Sequence, residues 1–170
     1  MMDVLEAIFT RRSIRKYTGV KISEDELHTI LRAGFYAPSA KDKRPWHFIV
    51  VRDHEKLVSI ADGLTYGKMI PHADCVIVVC GSKSIHNKVG YLVEDCSASI
   101  QNMLLAVHGL GLGAVWCGLY PVPARTRHLS QILELPPEIV PVGLIALGNK
   151  NEERQTPERF DPSRVHFDRW

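Results

Sequence analysis

The chain contains no CxxC pair, no HxxxH or HxH pair, and no apolar run approaching the length of a membrane span. Each absence removes a class. Without clustered cysteines or histidines, a metal centre has little support. Without a long apolar stretch in "MMDVLEAIFTRR" or later, neither a signal peptide nor a membrane helix is expected, so the expected location is the cytoplasm. Aromatic residues make up only 8% and the formal net charge is only +2, too small for a protein that coats nucleic acid or adheres electrostatically to a membrane. No repeat and no low-complexity linker divides the 170 residues, so one domain over 1–170 is expected, long enough to bury a real core. The four cysteines, Cys75, Cys80, Cys96 and Cys117, have apolar neighbours and read as buried free thiols in a reducing compartment.

What the chain does have is a local excess of positive charge. "RRSIRKYT", residues 11–18, places Arg11, Arg12, Arg15 and Lys16 within six positions. Such a group repels itself unless an anion shares the neighbourhood. Arginine forks suit phosphate geometry, and Ser13 adds a hydroxyl among them. A phosphate-bearing ligand is therefore expected. The alternative of a solvated turn stays open at this point. A nucleic-acid patch is disfavoured, because Ile14 interrupts the run and no aromatic platform follows.

The element pattern is mixed. A helix is expected from Asp3, whose carboxylate can cap it with Glu6 in the capping-box position, and another from Ser23 and Glu26 up to Pro38. Apolar Leu27, Ile30, Leu31 and Phe35 recur at helical spacing in the second. "HFIVV" (47–51), "DCVIVVCG" (74–81), "GAVWCGLY" (113–120) and "IVPVGLIALG" (139–148) read as strands. A long helix should run from Gly90 to His108, and a short one over 124–135, stopped by Pro136 and Pro137. Trp46, His47 and His108 read as core residues. "GLGLG" (109–113) closes a helix and leads into a strand, the reverse of a dinucleotide fingerprint. The stretch from 150 to 170 turns polar yet keeps Phe160, Phe167 and Trp170, so it should pack on this domain or on a second subunit.

In order along the chain, "RRSIRKY", "YAPSAKDKRPWHFIVV", "EDCSASIQNMLLAVHGLGLGAVWCG" and "RFDPSRVHFDRW" resemble the nitroreductase family of flavin-dependent oxidoreductases in its short form. The resemblance implies an α+β fold with a central mixed, mainly antiparallel sheet flanked by helices, and a C-terminal arm (150–170) reaching onto the partner subunit. It implies a homodimer with FMN at the interface, NAD(P)H as electron donor, and electron-poor acceptors such as nitroaromatics or quinones, reduced by ping-pong hydride transfer through flavin N5.

Carried over residue by residue, Arg11, Arg12, Ser13 and Arg15 would grip the FMN phosphate and ribityl chain, with Arg159 adding to the phosphate. Pro38, Ser39 and Ala40 would line the flavin from the other subunit. Trp116, Cys117 and Gly118 would run along its ring, and Lys68 would stand near its C2 oxygen. Asp42 and Arg44 depart from the family's usual Asn and Gln. Asp42 loses an amide donor towards the flavin, and Arg44 could pair with it. No side chain is expected to act as a covalent catalyst. Relatives on the same fold that reduce flavins or alkenes or remove halogens, and a non-catalytic flavin or nucleotide binder, are the competing readings.

Overall fold

The computed structural model describes residues 2–170. Asp3 accepts from Leu5 N at 2.9 Å and starts α1 (Val4–Thr10). Ser23 and Glu26 close a reciprocal capping box at the head of α2 (Glu24–Phe35), which satisfies two otherwise orphaned backbone donors. The strands follow as β1 (Trp46–Val51), β2 (Cys75–Ser82), β3 (Gly113–Gly118) and β4 (Ile139–Gly148). Between them lie α3 (His54–Asp62), α4 (Val89–Gly109) and α5 (Pro123–Ile132).

The sheet order is β1-β2-β4-β3, and every strand pair is antiparallel. The expected mixed character is reduced to one isolated parallel bridge between Ser13 and Ala114. The two central strands, β2 and β4, are covered on both faces, which is why their sequences run apolar without alternation. Cys75, Ile77 and Val79 point to a core shared with α2 and α4, whereas Val76, Val78 and Cys80 point to a second core shared with α3 and α5. The architecture is α+β, as the sequence implied.

Ser99 explains how α2 and α4 approach. Its hydroxyl donates to Gly34 O at 2.9 Å, and Asn102 Nδ2 donates to Ala33 O at 3.2 Å. A Cβ on Gly34 would sit 3.0 Å from both Phe48 and Ser99. At Ser99 the slim face of the central helix is thus used inside the chain.

Some expectations are corrected. α3 was not foreseen. His47 is exposed near the start of the edge strand, not in the core, whereas Ile49 and Val51 on the same face pack into the second core. Phe35 is also exposed, touching Phe48 edge-on at 4.9 Å between centroids. Trp46 is buried, as expected. The arm does not bury its aromatics on its own domain: Phe160, Phe167 and Trp170 are 74%, 83% and 99% exposed. No helix among the described residues is long and apolar enough to cross a membrane.

Candidate functional site

The segment after α1 is positioned by one apolar anchor. Ile14, which looked like an interruption of the basic run, is buried, and its N–H donates to Ala114 O at 2.9 Å. Gly113 leaves the space it needs, since a Cβ there would lie 2.6 Å from Ile14 Cγ2. With Ile14 fixed against β3, the basic side chains on either side are held in two clefts.

The first cleft, about 700 Å³, is formed by the end of α1 and the arm, and includes Ile8, Phe9, Arg11, Arg12, Arg159 and Phe160. Burial, and then the charges of Arg12 and Arg159, push the Arg11 guanidinium below the ordinary arginine value. Three guanidinium groups thus share one partly buried cleft. Glu158 also lines this cleft, but one of its oxygens accepts from the backbone N–H groups of Arg159 and Phe160, both at 2.7 Å. Arg12 is committed to the backbone: it donates to Gln155 O at 3.1 Å, Arg11 O at 2.6 Å and Phe9 O at 2.9 Å. It ties the arm to α1, while Arg11 and Arg159 make no side-chain hydrogen bond or ion pair among the described residues.

The second cleft is a slot of about 200 Å³, with Leu64, Met69, Val115 and Trp116 as its apolar surface and Arg15 and Arg125 as its cations. Cys117 and Gly118 line it too, and no carboxylate does. Burial raises the Cys117 thiol pKa, with Arg15 and Arg125 opposing weakly, so the sulfur stays protonated and has no thiolate chemistry near neutral pH. The three remaining thiols, Cys75, Cys80 and Cys96, are pushed up to about 12 by burial.

The structure therefore brings Arg11, Arg12 and Arg159 together, and separately Arg15, Trp116, Cys117 and Gly118. Ser13 contributes its backbone bridge and lines neither cleft. Lys68 is exposed and outside the slot, although its neighbours Tyr66 and Met69 line it. Pro38, Ser39, Ala40 and Asp42 also lie outside both clefts of their own chain. Their loop is held by Asp95, which accepts from Ala40 N at 2.8 Å, and by Ser39 Oγ, which accepts from Arg44 N at 2.9 Å. Arg44 pairs with Asp42 at 2.9 Å.

Sequence reasoning missed Arg125, whose guanidinium donates to Gly118 O at 3.1 Å and fixes the end of β3. It also missed Glu152, which accepts from Arg15 N at 2.6 Å. Neither has a local signature, because each acts through a backbone group distant in sequence or outside its own element.

Fold and clefts together give an α+β protein with one guanidinium-rich cleft and a separate apolar slot flanked by two arginines. The nitroreductase family profile matches residues 8–65 and 62–149. A Methanothermobacter thermautotrophicus protein with the provisional name NADH dehydrogenase/NAD(P)H nitroreductase is 46% identical, covering 99% of this chain and 88% of that protein. An Archaeoglobus fulgidus protein of the same name is 42% identical over the full length of both. A Desulfovibrio desulfuricans protein, provisionally a nitroreductase and solved in complex with FMN, superposes with a TM-score of 0.87 at 30% identity, covering 100% of this chain and 99% of that one. The chain belongs to the nitroreductase family and is a nitroreductase-like oxidoreductase.

Proposed function

We propose that the protein is an FMN-dependent NAD(P)H oxidoreductase that reduces electron-poor acceptors such as nitroaromatics and quinones. In this reading residues 1–170 form one domain, with 150–170 as its arm. The domain works as a cytoplasmic homodimer with FMN at the interface. The observation that carries it is the Arg11–Arg159 cleft, where neither guanidinium has a side-chain partner among the described residues, and where burial and the neighbouring Arg12 and Arg159 charges lower the Arg11 pKa.

The donor set fits the cofactor. A phosphate dianion would relieve the repulsion at Arg11 through charge-assisted hydrogen bonds. The slot beside Trp116 suits part of a planar ring, but at about 200 Å³ it is smaller than the roughly 300–1,000 Å³ of sites that enclose a ligand. One edge of the ring would remain for a second chain to border, leaving the outer face open, and the exposed Phe160, Phe167 and Trp170 support such a chain. Pro38, Ser39, Ala40 and Asp42, which serve no cleft in their own subunit, are the residues it would bring. The free cysteines support a reducing compartment.

When bound, FMN supplies two-electron hydride chemistry at its N5. Arg11 and Arg159 would hold the phosphate, while Arg12 holds the arm that carries Arg159. Arg15 and Arg125 place positive charge around the slot, stabilising negative charge that develops there. Leu64, Met69, Val115 and Trp116 keep water from one side. Arg125 fixes the Gly118 carbonyl, so the backbone beside Cys117 keeps one orientation. Pyridine nucleotide and acceptor would approach from the side that these residues leave open.

The test is the visible spectrum of purified protein followed by anaerobic titration with NADH and with NADPH, then an acceptor panel. A flavin spectrum bleached by pyridine nucleotide and restored by a nitroaromatic or quinone is expected. A colourless protein that does not take up added FMN overturns the reading.

A further inference from the structure

A third basic group lies away from both clefts and has no part in holding the flavin. Lys41, Lys43 and Lys88 line a cleft of about 260 Å³ together with Ser84, His86 and Tyr91. No acidic residue lines it. None of the three lysines has an ion-pair partner among the described residues, and the nearest acid in sequence, Asp42, is paired with Arg44 at 2.9 Å. Asp95, the other carboxylate near this loop, is buried and directed to Ala40 N.

Two further features face the same place. The long helix α4 begins here, and its N-cap residue Lys88 makes no side-chain capping bond. The positive end of a long helix is thus left without the usual acceptor. His86 is only 7% exposed. Its Nδ1 accepts from Lys88 N at 3.3 Å, which leaves the ring proton on Nε2, and Nε2 has no acceptor. A buried donor without an acceptor costs free energy unless a ligand supplies one.

We infer that this cleft is a subsite for the phosphate groups of the pyridine nucleotide. The inference rests on the flavin reading above. In the dimer of that reading the cleft serves the flavin held by the partner subunit, since Lys41, with a left-handed backbone at φ 55°, follows directly on Pro38–Ala40, the segment that would line that flavin. A dinucleotide that stacks its nicotinamide on the ring must carry its diphosphate, and in NADPH a 2′-phosphate, past the mouth of the site. Three lysines, an uncapped helix start and the His86 N–H form a sink for that charge. Lysine suits the task as a point charge that does not demand bidentate geometry.

The test uses the FMN-loaded protein and the variants Lys43→Gln, Lys88→Gln and their double. Calorimetric titration with adenosine 2′,5′-bisphosphate, which has no nicotinamide, should show binding that weakens about tenfold in the double variant and weakens further with salt. In kinetics, KM should rise by a similar factor for phosphate-bearing donors, while N-benzyl-1,4-dihydronicotinamide, which carries no phosphate, should keep its rate within about twofold. A rise confined to NADPH assigns the subsite to the 2′-phosphate, and a rise for both NADPH and NADH assigns it to the diphosphate. Bisphosphate binding that is absent from the parent or unchanged in the double variant overturns the inference, as does an equal loss for all three donors. If no donor reduces the parent's flavin, the flavin reading fails, and the bisphosphate titration still decides the subsite.

Discussion

The backbone N–H of Arg15 donates to Glu152 Oε1 at 2.6 Å, fastening the basic segment to the start of the arm. The opposite oxygen of Glu152 meets Arg154 Nη2 at 2.8 Å. Burial alone would raise the carboxyl pKa, but the donors from Arg15, Arg154 and Lys16 hold it below the ordinary carboxylate value. Because the folded-state pKa is depressed, Glu152 adds stability above the unfolded value near 4.3, and that contribution is lost as pH falls through the lowered folded value. Glu152→Ala should cost about 1–3 kcal/mol near neutral pH. Thermal unfolding at stepped pH should show the parent converging on the variant in acid; parallel curves would mean that the carboxylate contributes no charge-dependent stability.

Arg11 and Arg12 should separate in mutagenesis although they are adjacent. Arg12 donates to three carbonyls, so Arg12→Ala should lower the melting temperature of cofactor-free protein by the equivalent of about 1–3 kcal/mol. Arg11→Ala removes a repelled charge, so cofactor-free stability should hold or rise while FMN binding weakens by roughly 1.5–3 kcal/mol. Differential scanning fluorimetry with and without FMN reads both effects. Equal behaviour of the two variants would refute the division of labour.

His108 should report on the anion cleft. The Thr10 hydroxyl donates to Glu6 O at 2.6 Å, so it accepts from His108 Nε2 at 2.8 Å. Burial first, then Lys150, Arg11 and Arg12, lower the His108 pKa, with Glu6 opposing. The unfolded chain takes up this proton near 6.5 and the folded chain resists it, so stability declines as pH falls below about 6.5 until the lowered folded value is reached. Binding of a phosphate dianion should bring the pKa back up. NMR titration of the imidazole with and without FMN checks this; an unchanged pKa would place the phosphate elsewhere.

Gly143 on β4 underlies Trp116. A Cβ there would overlap Trp116 Nε1 and come within 3.0 Å of Ile100 Cδ1. Gly143→Ala should cost about 1–3 kcal/mol through overpacking and should shift Trp116 fluorescence, because the indole is displaced from the slot. An unshifted spectrum at full stability would count against the packing.

The strands and the central helix were legible because their signals are local: apolar runs for β2 and β4, and helical spacing from Leu92 to Val107. α3 escaped because only Leu57 and Ile60 are buried among polar neighbours, although Asp53 does cap Lys56 N at 2.9 Å. The basic cluster was legible as charge, and Trp46 as core. The separate jobs of Arg11, Arg12 and Arg15 were not, since they depend on Gln155, Arg159 and Glu152 folding back from the far end. Ile14 was misread for the same reason: its partner is a gap left by Gly113 on another element.

The meeting of Arg11 with Arg159 also orders events during synthesis. One half of the grip leaves the ribosome early and the other late. A nascent chain can build its sheet from β1 to β4 and still lack the finished anion cradle until residue 159 is free. On the proposed flavin reading, loading waits for that residue, and an arm clipped after Pro157 should keep the Arg12–Gln155 and Arg15–Glu152 ties, and with them the fold, while losing affinity for FMN.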